Sequence, residues 1–183
     1  MDRLLVERAR AGDRDAFAGV VHLVSDSLFA VAYRILRDTG LAEDALQNAL
    51  ISAWKQLPHL REAERFEAWL HRILVHACYA ESRRGRQFVA NVGVLDLLAS
   101  SAPDTAGAVV DRDELERAFL RIPLDQRAVF VLHHHLGLSL VEVAETLGIP
   151  AGTARSRLHY ATRALRTVIQ SGATLPLEEG RLA

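Results

Sequence analysis

Sulfur is scarce in this chain, which has one cysteine, Cys78, and one methionine in 183 residues. A lone thiol excludes an intramolecular disulfide, and without a second cysteine it makes a poor zinc site. A buried structural role is expected for it. Lys55 is the only lysine among 22 basic residues, so the positive charge is carried by arginine. With a formal net charge of −1, the protein is no globally basic nucleic-acid coat, and any DNA binding must come from local patches. Aromatics make up only 6% of residues. No run approaches the roughly 20 apolar residues that a membrane span needs. The charged N-terminus, MDRLLVERARAGDRDAF, lacks the apolar core of a signal peptide. A cytoplasmic protein without membrane insertion is therefore expected. There is no glycine-rich phosphate loop and no plausible catalytic triad, so neither an enzyme nor a cofactor is expected. No segment alternates β-branched and polar residues, which argues against strands.

Half of the chain is hydrophobic, enough to bury real cores, and its periodicity is helical. Helices are expected over Leu4–Arg10, Arg14–Arg37, Leu41–Gln56 and Arg65–Arg84, with a break at Asp38-Thr39-Gly40 and a loop over Leu57–Glu64. Gln87–Val110 is rich in small residues and poor in charge, and is expected to be a linker. Val94–Leu98 is the one part of it suited to a docked turn. A second helical unit starts at Asp111, is broken at Pro123 and resumes at Gln126–Leu136 with Asp125 as its cap. The expected fold is all-α, with two small helical domains at 1–86 and 111–170, a linker at 87–110 and a tail at 171–183. The tail is too short for an added regulatory domain.

The densest signal is Leu138–Arg166. Ala144 is small where two helices must touch, Gly148 accepts turn angles that a Cβ resists, and Pro150 cannot extend the first helix. Thr153 suits the N-cap or first turn of the next helix. This is a helix-turn-helix, whose second helix normally enters the DNA major groove. Ala154, Leu158, Ala161, Leu165 and Val168 form its apolar stripe. Arg155, His159, Arg163 and Arg166 fall on another face beside Ser156 and Tyr160. Arginine can pair at two points with guanine, and serine or threonine can reach bases or phosphates.

Both halves together make the chain recognisable. It resembles the bacterial sigma-70 family, specifically the extracytoplasmic-function sigma factors. In the C-terminal half the resemblance is carried by Ile122-Pro123-Leu124-Asp125-Gln126-Arg127, Leu136-Gly137-Leu138-Ser139, Glu142-Val143-Ala144, Leu147-Gly148-Ile149-Pro150 and Gly152–Leu158. In the N-terminal half it is carried by Ala42-Glu43-Asp44-Ala45 with Gln47, Ala53-Trp54, Phe66, Trp69-Leu70, Ile73 and Arg83-Arg84. The resemblance implies a protein that binds core RNA polymerase at the β′ clamp and β flap, places it at a promoter and helps to melt the start region. It implies polymerase contacts at Glu43, Asp44, Gln47 and Asn48. It implies −10 contacts at Arg61, Glu62, Arg65, Arg72, His76, Arg83 and Arg84, and −35 contacts at Thr153, Arg155, Ser156, Arg157, His159, Tyr160 and Arg163. An anti-sigma factor is a common partner in that family. The chain departs from the family pattern in four places. Asn48 stands where glutamate is common, His76 where asparagine is usual, Glu81 where aspartate is common, and Tyr160 where a basic residue is frequent.

Independently of the resemblance, His71, Arg72, His76, Arg83, Arg84 and Arg86 give one helix positive potential, which a helix C-terminus alone also favours. Trp54 and Trp69 lie on apolar stripes and are expected in the core rather than as base-stacking platforms. Adjacent helical residues point about 100° apart, so His133-His134-His135 is not expected to hold a metal. A stand-alone helix-turn-helix regulator remains the rival. It would bind duplex DNA tightly without polymerase, usually as a dimer. A flexible coil the length of the linker spans roughly 27 Å, short of one DNA turn of about 34 Å. Engagement of two separated promoter elements therefore needs a stretched linker. In the free protein the halves either stay extended or pack on each other, with the Val92–Leu98 segment cementing the closed form.

Overall fold

The computed structural model describes residues 2–92 and 112–172. The expected linker beyond Val92, including Val94–Leu98, and the tail from residue 173 lie outside the described residues. Four helices make the N-terminal half: α1 (Arg3–Arg10), α2 (Arg14–Leu36), α3 (Thr39–Gln56) and α4 (Phe66–Val92). Four more make the C-terminal half: α5 (Arg112–Arg121), α6 (Leu124–His134), α7 (Leu140–Leu147) and α8 (Ala151–Gly172).

Aspartates start the first three helices. Asp2, Asp13 and Asp38 accept hydrogen bonds from the backbone N–H groups of Leu4, Ala16 and Leu41, which satisfies donors that a helix start leaves open. Because Asp38 caps α3, the predicted three-residue break shrinks, and Thr39 and Gly40 are already helical. Leu57–His59 and Ala63–Arg65 form 3-10 turns inside the predicted loop. Helix α4 runs past the predicted end at Arg84, so the start of the predicted linker is helical. Helix α6 begins at Leu124 after Pro123, with no side-chain cap. Asp125 therefore sits inside the first turn, not at the cap, and its carboxylate takes Arg157 at 2.9 Å instead.

Ser139 and Glu142 form a reciprocal capping box at the start of α7. Hydrogen bonding from Ser139 holds the Glu142 carboxyl below its ordinary range. Ser139→Ala leaves the N–H of Glu142 without its acceptor. The expected loss is about 1 kcal/mol of stability, read as a lower urea midpoint at unchanged slope.

Helices α2, α3 and α4 pack on one another, with α1 against α2. The buried faces include Val20, Leu28, Val31, Ala32 and Ile35 on α2, Ala45, Ala49 and Ala53 on α3, and Phe66, Leu70 and Leu74 on α4. Alanine along α3 lets its backbone come close to its neighbours. Among the described residues, α2 is the one helix whose length and mean hydropathy (1.5) would suffice to cross a membrane. This corrects the expectation that no run comes near that standard. The apolar character of α2 is used here in packing against α1, α3, α4 and α6.

In the C-terminal half, α8 packs on α5, α6 and α7. Ala154 and Ala161 of the predicted stripe are fully buried, and Leu158 and Leu165 are half-buried. Gly148 is left-handed (φ +65°) and ends α7, making the predicted turn. The halves also touch, α2 against α6 and α4 against α7, and one apolar cluster runs through both. The molecule is thus in the closed arrangement.

Candidate nucleic-acid interfaces

Helix α8 presents one polar face. Arg155, Ser156, His159, Tyr160 and Arg163 are exposed along it. Thr153 is in the first turn, where its N–H meets the carbonyl of Pro150 at 2.9 Å, and Ser156 donates to the carbonyl of Thr153 at 3.0 Å. Arg155, His159, Arg163 and Arg166 border a groove of about 650 Å³ that opens beside Leu140. Arg157 departs from this set. Its side chain turns back to Asp125 of α6 and is largely covered, so it fixes α8 on α6 and is no free cation on the outer face.

The N-terminal surface is built on α4 and the loop before it. Arg10 donates to the carbonyls of Leu60 and Arg61 at 3.2 Å, tying that loop to α1. Arg61 is exposed, while Glu62 and Arg65 pair with each other at 2.7 Å. Arg72, His76 and Arg84 line a groove of about 660 Å³ between α3 and α4. Burial, then Arg72 and Arg83, hold the His76 imidazole below its ordinary range. Trp69 is half-buried, packs at 5.7 Å from Phe66 and also lines this groove. Trp54 packs on Phe17 at 4.9 Å.

Glu43, Asp44 and Gln47 are exposed on α3, but Asn48 is half-buried and faces α4. Its amide donates to Glu81 Oε1 at 3.0 Å, and Arg84 donates to the same oxygen at 2.9 Å. The buried Glu81 carboxylate is satisfied by these two donors. A glutamate at position 48 would set a second carboxylate against it. Asn48→Glu should therefore cost about 1 kcal/mol of stability through the lost hydrogen bond and the like charge. Thermal unfolding at pH 7 checks this, with a lower Tm expected than for the unsubstituted chain.

The seam between the halves covers part of the N-terminal surface. The turn after α7 lies on Arg72, and a Cβ on Gly148 would meet Arg72 Nη2 at 3.0 Å. Arg83 borders Tyr79, Pro123, Leu124 and Asp125 at the start of α6. The Tyr79 hydroxyl is buried without a hydrogen-bond partner, and burial pushes its pKa up to about 12. Arg127 on α6 is buried too, and neither its Nε nor its Nη1 has a partner. Burial, then Arg37 and Arg86, push its guanidinium below the ordinary range. Across the same seam, Arg37 pairs with Glu116 of α5 and lies over the Tyr33 ring at 5.3 Å. The sequence did not single out Tyr79, and it marked Arg127 only as part of a motif. Nothing in the sequence shows which face of α6 meets α2 and α4.

Packing engages the histidine run, with the His133 and His134 rings 4.8 Å apart. His133 Nδ1 lies 2.6 Å from the Leu138 carbonyl, and His134 packs on Phe130 at 4.5 Å. Cys78 is buried, and burial pushes its thiol up to about 12.

Two family models match in chain order: sigma-70 region 2 over residues 20–88 and sigma-70 region 4 over residues 112–165. Together they take in most of the chain. The chain belongs to the sigma-70 family. Within it, the relatives are extracytoplasmic-function sigma factors. SigW of Bacillus subtilis (strain 168) is 30% identical over 88% of this chain and 92% of its own length. SigL of Mycobacterium tuberculosis (strain ATCC 25618 / H37Rv) is 35% identical over 78% of this chain and 82% of its own. Among solved structures, the sigma factor RpoE in complex with the anti-sigma factor NepR, from Bartonella quintana, is 28% identical with a TM-score of 0.67. That match covers 84% of this sigma factor and 96% of that chain. CnrH in complex with the cytosolic domain of CnrY has a TM-score of 0.66 at 22% identity, over 93% and 97% of the two chains, and supports the fold alone. Arg155 and Arg163 of α8 thus lie in the region 4 match, and the α3–α4 groove lies in the region 2 match of a promoter-recognising sigma factor.

Proposed function

We propose that this sigma factor divides promoter recognition between its halves, with region 2 function in residues 1–86 and region 4 function in 111–170. Residues 87–110 link the halves and 171–183 form a tail. The observation that carries the C-terminal assignment is the face of α8, where Arg155, His159 and Arg163 stand exposed with no acidic residue between Ala151 and Gln170. Arg155 and Arg163 are assigned to −35 base edges and phosphates, with Thr153, Ser156, His159 and Tyr160 beside them. Arg157 positions the helix through Asp125. In the N-terminal half, Arg72, His76, Arg83 and Arg84 are assigned to the −10 element and the melted strand, with Arg61, Glu62 and Arg65 in the preceding loop. Such a surface offsets unstacking with cations on the phosphates and a pocket for an extruded base. Glu43, Asp44 and Gln47 are assigned to the polymerase clamp, with Asn48 supporting them from behind through Glu81.

The role is a transcription regulator that catalyses no covalent chemistry, working in the cytoplasm on core polymerase and promoter DNA. An anti-sigma protein is a partner on this reading, as for the RpoE relative. The test is to mix the purified protein with bacterial core RNA polymerase and genomic DNA fragments and to sequence transcript 5′ ends. Specific starts sharing two upstream motifs are expected. Tight duplex binding as a dimer without polymerase, and no starts, would overturn the reading in favour of a stand-alone regulator.

A further inference from the structure

A groove of about 670 Å³ crosses the seam where α2 meets α5, α6 and the end of α8. Its lining is mostly apolar, with Phe119, Phe130 and Leu165 inside and Tyr33 and Ile169 exposed at its edge. Arg34 stands on the rim. Its Nη1 meets the Ala30 carbonyl at 3.1 Å, and no carboxylate among the described residues pairs with it. The groove is thus a mostly apolar trough in which Arg37 and Glu116 are paired with each other and Arg34 is left as the cation without a carboxylate among the described residues, and its walls come from both halves.

One segment of this chain fits that chemistry. Helix α8 carries Leu165 and Ile169 along the groove and ends at Gly172, so residue 173 leaves within one helical turn of it. The sequence then reads Thr174-Leu175-Pro176-Leu177-Glu178-Glu179. Pro176 biases Leu175 towards extended backbone. In extended chain, residues two apart share a face, which puts Leu175 and Leu177 on one side. Two glutamates follow at once. We propose that Leu175–Glu179 seats in this groove, with the leucines on Phe119 and Phe130 and the glutamates at Arg34, and so latches the halves together. The linker has an apolar run as well, Val94-Leu95-Asp96-Leu97-Leu98, but it offers one acid against the tail's two. This inference does not depend on the assignment of DNA contacts.

Hydrogen exchange on the full chain tests it. Leu175→Asp/Leu177→Asp should speed exchange over residues 28–37 and 115–135 by about tenfold through easier local opening, while residues 40–56 keep their protection. Glu178→Arg/Glu179→Arg should do the same, and adding Arg34→Glu to that variant should restore protection. These tail changes leave the core untouched, so the effect is not one of folding. Unchanged exchange in both tail variants overturns the proposal. So does protection lost through Leu97→Asp instead, which would make the linker the occupant. Protection that rises with protein concentration also overturns it, because a second copy would then fill the groove.

Discussion

Arg127→Met is expected to stabilise the free protein and to make it a poorer initiator. The Arg127 guanidinium is buried in the seam with Nε and Nη1 unpartnered, near Arg37 and Arg86. A buried cation without a counter-charge among the described residues has lost hydration for no pair there, and apolar replacements of buried ionic groups are often stabilising by about 1–4 kcal/mol. Methionine keeps the length and packs as an apolar chain. Each kcal/mol should raise Tm by about 2–4 °C in a chain of this size. When the halves separate, Arg127 regains water, and that gain favours the open form. Removing it shifts the balance towards closure by about tenfold per 1.4 kcal/mol. Abortive transcription at limiting sigma should then fall and should recover as sigma is raised. A lower Tm in the variant would show that Arg127 supports the closed form.

Arg155→Ala is expected to weaken recognition at one position of the −35 element and nowhere else. Arg155 is exposed near the start of α8 and has no ion pair among the described residues. Its loss leaves the fold intact. A two-point arginine–guanine contact contributes about 1–3 kcal/mol of discrimination, or roughly 5- to 150-fold. Competition binding by the polymerase holoenzyme to promoters substituted base by base would locate the effect. If affinity fell equally on every sequence and the salt slope dropped by about one, Arg155 would be a backbone contact. Arg157→Ala is the informative contrast. Arg157 is bonded to Asp125, so its removal should loosen α8 on α6 without a base-specific signature.

The helices were legible because each carries its own punctuation. Asp13 and Asp38 mark starts, Gly148 marks the turn, and the stripe from Ala154 to Leu165 marks a buried face. Boundaries failed where the deciding contact was not local. Helix α4 continues past Arg84 through residues that composition assigns to a linker. Asp125 gives up capping for a partner, Arg157, far along the chain. The exposed face of α8 was readable because one helix carries all of it. Asn48 was not, since its half-burial is set by Glu81 on another helix. Arg127 was invisible for the same reason. A sequence records that arginine is present, but not that two bundles close over it. The short span of a coiled linker left both a closed and an extended free form open. The elements that make the seam, α2 with α6 and α4 with α7, came only from the structure.

With Arg72 assigned to the −10 element as proposed above, the Gly148 turn resting on it makes the two proposed DNA-binding surfaces thermodynamically reciprocal. On that assignment, a ligand that draws Arg72 to itself loosens its contact with the turn, and duplex that draws the helix-turn-helix away releases Arg72. Whatever factor one event contributes to the other, the reverse factor is the same, because both close one cycle. A single-stranded −10 oligonucleotide should therefore tighten binding of a separate −35 duplex to the free protein, by the same ratio as the duplex tightens the oligonucleotide. On this footing the sigma factor is a heterotropic coupler, and promoter fragments are effectors of one another.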